Sequence, residues 1–70
     1  MVETYVVVAD GVEVSVSPVQ RLAALGTALA KLDQGGVREL RVLDARTFEH
    51  RASWRRRGGG YVVESVAGWL

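Results

Sequence analysis

The stretch "TYVVVADGVEVSVS", residues 4 to 17, decides the fold. Two runs of β-branched residues flank Asp10-Gly11, and an Asp-Gly pair supplies the positive φ angles that a two-residue hairpin turn requires. Pairing across this turn sets apolar residues opposite one another, with Tyr5 opposite Val16 furthest from the turn. One face of the predicted hairpin is therefore wholly apolar and belongs to the core.

A helix is predicted directly after this hairpin, because both its start and its apolar stripe can be identified. Ser17 is positioned to cap freed backbone amides, Pro18 suits the first helical position, and Gln20 completes a capping box. Gly35-Gly36 supplies the left-handed residue that ends the helix. Four leucines spaced by three and four residues form one stripe, which we expect to be the core face that covers the sheet. The stripe consists of Leu22, Leu25, Leu29 and Leu32.

A third strand is predicted for "VRELRVLD", residues 37 to 44, whose alternate residues are apolar. The following segment, residues 45–56, also alternates from Thr47 onward, with Phe48 and Trp54 at even positions and polar or charged residues at the odd ones. This period of two predicts a fourth strand with both aromatic side chains facing the core. A helix capped by Asp44 is the alternative, and the sequence leaves the choice between strand and helix open.

The segment "YVVESV", residues 61–66, predicts the final strand, joined to the fourth by a turn at Gly58-Gly59. A two-residue turn keeps Glu64 out of the core, whereas a three-residue loop would bury its carboxylate without a partner, which is costly. The order is β-β-α-β-β-β. We expect a small single α+β domain over residues 1–70, with a mostly antiparallel sheet, one helix on one face and the other face open.

The open face of the sheet is the leading candidate for a binding surface. Apolar side chains at this density usually mark a contact, although valines on a solvated sheet can also be shielded by their neighbours. A chain of 70 residues has a marginal core and no cysteine for a disulfide, so association is the remaining way to add stability. The residues expected to contact a partner are Val6, Val8, Leu43, Val62, Val66 and Arg41.

The stretch "WRRRGGGY", residues 54 to 61, is the second candidate. Residues 36–70 hold seven basic and four acidic side chains, whereas residues 1–35 hold two and four, which hints at a basic patch. The strand interpretation puts Arg51, Arg55 and Arg57 on one face, and Arg55 and Arg57 are spaced like successive phosphates. The arginine fork also suits phosphate. The possible phosphate-binding residues are Arg51, Arg55, Arg56 and Arg57.

Catalytic, metal and cofactor chemistry is not expected. The histidine at His50 is predicted to share a core-facing side with Trp54, and the carboxylates are scattered. One histidine and no cysteine do not assemble the usual zinc ligand sets. The glycine triplet precedes a strand and lacks the Lys-Ser or Lys-Thr pair of a phosphate loop. We therefore expect neither an enzyme nor a bound metal or cofactor.

A soluble cytoplasmic protein without membrane contact is expected, because no run reaches the roughly 18 apolar residues of a membrane span. Glu3 also stands where a signal peptide would carry positive charge. The end of the chain, Trp69-Leu70, is expected either to fold back on the core or the open face, or to be a docking peptide.

Two functional hypotheses follow. The leading one is a small non-enzymatic interaction or regulatory module that pairs with itself as a homo-oligomer, or with a protein partner, through the open face. The alternative is a nucleic-acid-binding regulator that grips phosphates with the arginines. The protein partner is preferred because the aromatic side chains that would stack on bases are predicted to point inward.

Overall fold

The computed structural model describes residues 3–15 and 17–70, and these form a five-stranded antiparallel sheet with one helix. The elements are β1 (Tyr5–Ala9), β2 (Val12–Glu13), α1 (Arg21–Gln34), β3 (Glu39–Asp44), β4 (His50–Arg57) and β5 (Gly60–Ser65). The strands are ordered β2-β1-β3-β4-β5, and each neighbouring pair is antiparallel. The predicted α+β class and the order β-β-α-β-β-β are confirmed.

The first hairpin turns at Asp10-Gly11 as predicted. Asp10 has φ 50° and Gly11 has φ 81°, which are the left-handed angles that this tight turn needs. The Asp10 carboxylate also accepts hydrogen bonds from the backbone amides of Arg38, at 3.0 Å, and Glu39, at 2.9 Å. These bonds tie the turn to the start of β3.

The helix begins later than the capping pattern predicts. Val19 forms an antiparallel bridge with Tyr5, and the two backbones exchange hydrogen bonds of 2.7 and 3.0 Å. Because the bridge requires extended backbone at Val19, Ser17 cannot cap α1, and the predicted capping box is wrong. Gln20 is the N-cap residue and makes no side-chain cap hydrogen bond. The predicted pairing of Tyr5 with Val16 lies outside the described residues.

Alanines, and not the whole predicted leucine stripe, face the sheet. Ala24 and Ala28 are fully buried, whereas Leu22 is 79% and Leu29 is 57% exposed. The other two leucines of the stripe are partly buried against the core. The prediction of the stripe as the core face is therefore wrong for half of its members. The helix packs on β1 and β3, and the sheet supplies the largest fully buried side chains. These are Leu40, Val7 and Val42.

A β-bulge changes the face on which β4 begins. The register between β3 and β4 shifts at Leu43, which lies opposite His50, so that Arg51 is the additional residue. His50 therefore shares the open face with Leu43, and its predicted core-facing position is wrong. Phe48 precedes β4, has φ 60° and is exposed, so its predicted core position is wrong too. Strand β4 nevertheless decides the choice between strand and helix in favour of strand.

The turn before β4 is organised by the buried carboxylate of Asp44. It accepts hydrogen bonds from the amides of Arg46, at 2.8 Å, and Thr47, at 3.2 Å, while the Phe48 amide donates to the Asp44 carbonyl at 2.8 Å. The Arg46 amide foremost, and then the Thr47 amide, hold the pKa of Asp44 below its ordinary value of 3.8. Residues 45–47 thus form a turn held by Asp44, and the alternative helix is not present there.

The chain ends by folding back onto the core, which is the first of the two expectations for the tail. The Val66 amide donates to the Arg51 carbonyl at 2.9 Å, and the chain then turns toward α1. The Trp69 ring is buried and stacks edge-on against Tyr5, with ring centroids 5.2 Å apart. Arg21 at the start of α1 donates to the Gly68 carbonyl at 3.4 Å. Within the described ranges, no helix combines the length and apolar character needed to cross a membrane.

Candidate interaction site

The residues predicted to form the open binding face differ widely in exposure. Val6 is only 5% exposed and lies opposite Leu43, which is itself half-buried, as is Val8. On this side of the sheet the apolar residues shield one another. Val62 and Val66 are exposed, and Val62 lies on the same face at the far edge of the sheet, on β5. The accessible apolar surface on this face is therefore centred on the second hairpin and not on β1 and β3.

Arg41, the charged member of the predicted face, is engaged by Glu39. Its guanidinium donates to one carboxylate oxygen at 2.8 Å, and that of Arg55 approaches the other oxygen at 3.3 Å. The hydrogen bond from Arg41, followed by that from Arg55, lowers the pKa of Glu39 from its ordinary value of 4.5. Glu39 thus neutralises part of the charge at the border between β3 and β4.

The second hairpin carries a shallow depression of about 100 Å³ on the face away from the helix. Antiparallel pairing sets Arg55 opposite Val62, and the two-residue turn sets Ser53 opposite Glu64, as the sequence predicts. We call this depression and its rim the hairpin surface. It is lined by Ser53, Arg55, Arg57, Val62 and Glu64. The surface combines one exposed valine with two guanidinium groups and one carboxylate.

The predicted phosphate-binding arginines are divided by the fold. Arg51 sits at the bulge, where its guanidinium lies 3.6 Å from Asp44 and 3.8 Å from Glu49. Arg55 and Arg57 remain together on the hairpin surface. Arg56 lies opposite Tyr61 on the reverse side, in agreement with the predicted alternation.

Arg38 joins this group and was missed by sequence reasoning. The Arg56 amide donates to the Arg38 carbonyl at 2.8 Å, which brings the two backbones together at one end of the sheet. The signal that could have found it is the pairing of β3 with β4, which places the residue before β3 beside the end of β4. Four exposed arginines therefore lie at this end. They are Arg38, Arg55, Arg56 and Arg57.

No cluster of three or more histidine, cysteine, aspartate or glutamate side chains that could hold a metal is found in the described portion of the chain. The carboxylates that the fold does gather, Glu39 and Asp44, are occupied by guanidinium groups or backbone amides. Comparison of the chain with protein-family models, with curated proteins and with solved structures gives no match. The functional interpretation rests on geometry alone.

Proposed function

We propose that the protein is a small non-enzymatic interaction module that binds a protein partner, a second copy of itself included, through the hairpin surface. The observation that supports this proposal most strongly is that the helix packs on β1 and β3, so that it does not cover β4 and β5. Val62 is 45% and Val63 is 49% exposed on opposite sides of β5. Apolar side chains bordered by arginines are the composition that protein interfaces favour.

The charges of the hairpin surface add specificity to this contact. Among residues 3–15 and 17–70, neither Arg57 nor Glu64 has an ion-pair partner. A partner that presents one acidic and one basic group beside an apolar contact would satisfy both. Complementary charges of this kind fix orientation and accelerate association more than they add affinity.

The test uses a matched pair of lysine variants. Val62→Lys places a charge in the hairpin surface, and Val12→Lys places one on an exposed valine of the opposite edge strand. Each chain is immobilised, and the proteins retained from a cell extract, together with added free copies of the chain, are quantified by mass spectrometry.

We expect the wild type and Val12→Lys to retain a common set that Val62→Lys loses. A retained protein is then purified, and its titration against the same three chains has to reproduce the difference. If all three chains retain the same proteins, the hairpin surface is not the binding site.

A nucleic-acid partner is the second candidate, favoured by the four arginines at one end of the sheet. Arginine forks bind phosphate in two-pronged geometry, and a β-ribbon can enter a groove. Binding of single-stranded and duplex DNA would weaken steeply with salt, with a log-log slope of about −0.9 for each phosphate neutralised on the duplex. An Arg56→Glu/Arg57→Glu double variant should abolish that binding. Binding that is indifferent to salt and to both substitutions rules this candidate out.

A further inference from the structure

We propose that the partner of the hairpin surface is a second copy of this chain, joined by antiparallel pairing of the two β5 strands about a two-fold axis at Val62. This inference rests on the proposed function and deepens it. The strand β5 forms one edge of the sheet and is exposed at every residue except Tyr61, which is half-buried. Unprotected edge strands of this length are templates for pairing with another chain.

The outward-pointing backbone groups of β5 can be identified from the ladder. The Val66 amide bonds the Arg51 carbonyl on the β4 side, and in an antiparallel pair alternate residues direct both backbone groups to the same neighbour. Tyr61, Val63 and Ser65 therefore direct their N–H and C=O groups away from β4. Among the described strands β5 pairs with β4 alone, so no neighbouring strand bonds these outward groups.

The two edge strands of this sheet, β2 and β5, differ in how far they are protected against pairing with another chain. The other edge strand, β2, is only two residues long, which is one way in which proteins limit edge pairing. Strand β5 has six residues and contains neither a proline nor a lysine, the residues that commonly block an edge. The exposed backbone of β5 is thus free to accept a second strand.

The side chains select the register. Facing residues of a two-fold antiparallel pair share a face, so centring the pair on Val62 sets this valine against the partner's Val62. On the reverse face, Tyr61 then lies opposite the partner's Val63. The two hydrogen-bonded pairs supply four backbone hydrogen bonds between the chains. A shift of the axis to Val63 would instead set Val62 against the carboxylate of the partner's Glu64.

The same register pairs the unmatched charges. Glu64 lies opposite the partner's Gly60, which has no side chain, and next to that glycine on β4 stands the partner's Arg57. Two strand spacings separate Glu64 from this arginine, about 10 Å between Cα atoms, which their side chains can bridge together. A side chain added at Gly60 would meet no atom within 4 Å in its own chain, so the space over it is open. The two-fold axis repeats the ion pair.

A charge-exchange experiment tests the pairing. Sedimentation equilibrium is recorded at micromolar to millimolar concentrations for the wild type, Glu64→Arg, Arg57→Glu and the Glu64→Arg/Arg57→Glu double variant. We expect a species of twice the 7.6 kDa chain mass for the wild type. Each single variant should dimerise about tenfold less tightly, and the double variant should regain the wild-type affinity, because like charges replace the pair only in the single variants.

A backbone variant separates edge pairing from other contacts. Val63→Pro removes an amide that points away from β4, so the hairpin keeps its own hydrogen bonds while the inter-chain ladder loses one at each end of the pair. Circular dichroism should show a folded chain, and sedimentation should show monomers. The two measurements on the same samples separate the folding of the chain from its dimerisation.

The outcomes are distinct for the two proposals. A wild type that is monomeric throughout overturns the β5 pairing, while retention of proteins that depends on Val62 would still support the proposed function. A dimer that survives Val63→Pro, or is not restored by the charge exchange, overturns the pairing as well and assigns the dimer to another surface. If the wild type does not dimerise and it retains no protein that Val62→Lys loses, the proposed function itself is overturned.

Discussion

Replacement of Trp69 tests whether the residues around it are docked on the core and stabilise the fold. The indole is 6% exposed and packs edge-on against Tyr5, whereas its neighbour Leu70 is 55% exposed. Its Nε1 donor is buried and has no acceptor among the described residues. The ring therefore stabilises the fold through apolar contact, while its one polar atom opposes folding.

The magnitude follows from these contacts. A buried tryptophan hides about 150 to 250 Å² of surface, and truncation of a large aromatic side chain to alanine costs about 3 to 5 kcal/mol. A domain of this length has a free energy of unfolding of roughly 4 to 10 kcal/mol. Trp69→Ala therefore removes about half of the stability. Trp69→Phe keeps most of the contact with Tyr5 and removes the unpaired donor, so its cost should stay below about 1.5 kcal/mol.

Urea unfolding followed by far-ultraviolet circular dichroism measures the three free energies, with Leu70→Ala as the matched control. The control should lie within about 0.5 kcal/mol of the wild type because its side chain is exposed. Equal midpoints for Trp69→Ala and the wild type would show that the tail is not docked. Equal losses for the alanine and phenylalanine variants would show that the ring contact with Tyr5 does not stabilise the fold and that the stated physical account is wrong.

Three further predictions concern the helix, Asp44 and Asp10. Ala28→Leu should lower the free energy of unfolding by about 1 to 3 kcal/mol through overpacking, whereas Leu29→Ala should change it by less than about 0.5 kcal/mol, both measured by thermal melts. Asp44 has a folded-state pKa below 3.8, so it stabilises the fold above this pH, and the stability is lost as pH falls through the lowered value. Asp44→Asn should flatten the acid side of the stability profile. Asp10→Ala should lower the melting temperature more than Asp10→Asn, since only the amide can still accept hydrogen bonds at the start of β3.

The sheet could be predicted because its turns have short-range signals. Asp10-Gly11 and Gly58-Gly59 each set a two-residue turn, and a turn fixes the register of the strands that it joins. The faces of β5 followed from one further argument, the cost of burying Glu64. Each of these features depends on a few neighbouring residues, and the alternative conformation costs a large free energy.

The helix and the start of β4 could not be predicted, because tertiary contacts decided them. The bridge between Val19 and Tyr5 delays the helix, and no local pattern announces it. On α1, the alanine pair and the leucine stripe have the same helical spacing, so only the volume supplied by Leu40 and Val42 selects the alanines. The bulge at Arg51 reverses the face of His50, and bulges of this kind leave no periodic signal.

The binding hypothesis moved from the centre of the open face to its edge for a related reason. A valine on a solvated strand is shielded when strands with large side chains flank it, as β3 flanks Val6, and is accessible when one side has no neighbour, as at Val62. Sequence alternation reports the face of a residue but not its distance from the edge, which depends on strand order. Because β5 is the last strand in that order, its valines and its backbone lack a neighbouring strand on one side. A second β5 strand would supply the missing flank and the missing hydrogen bonds together.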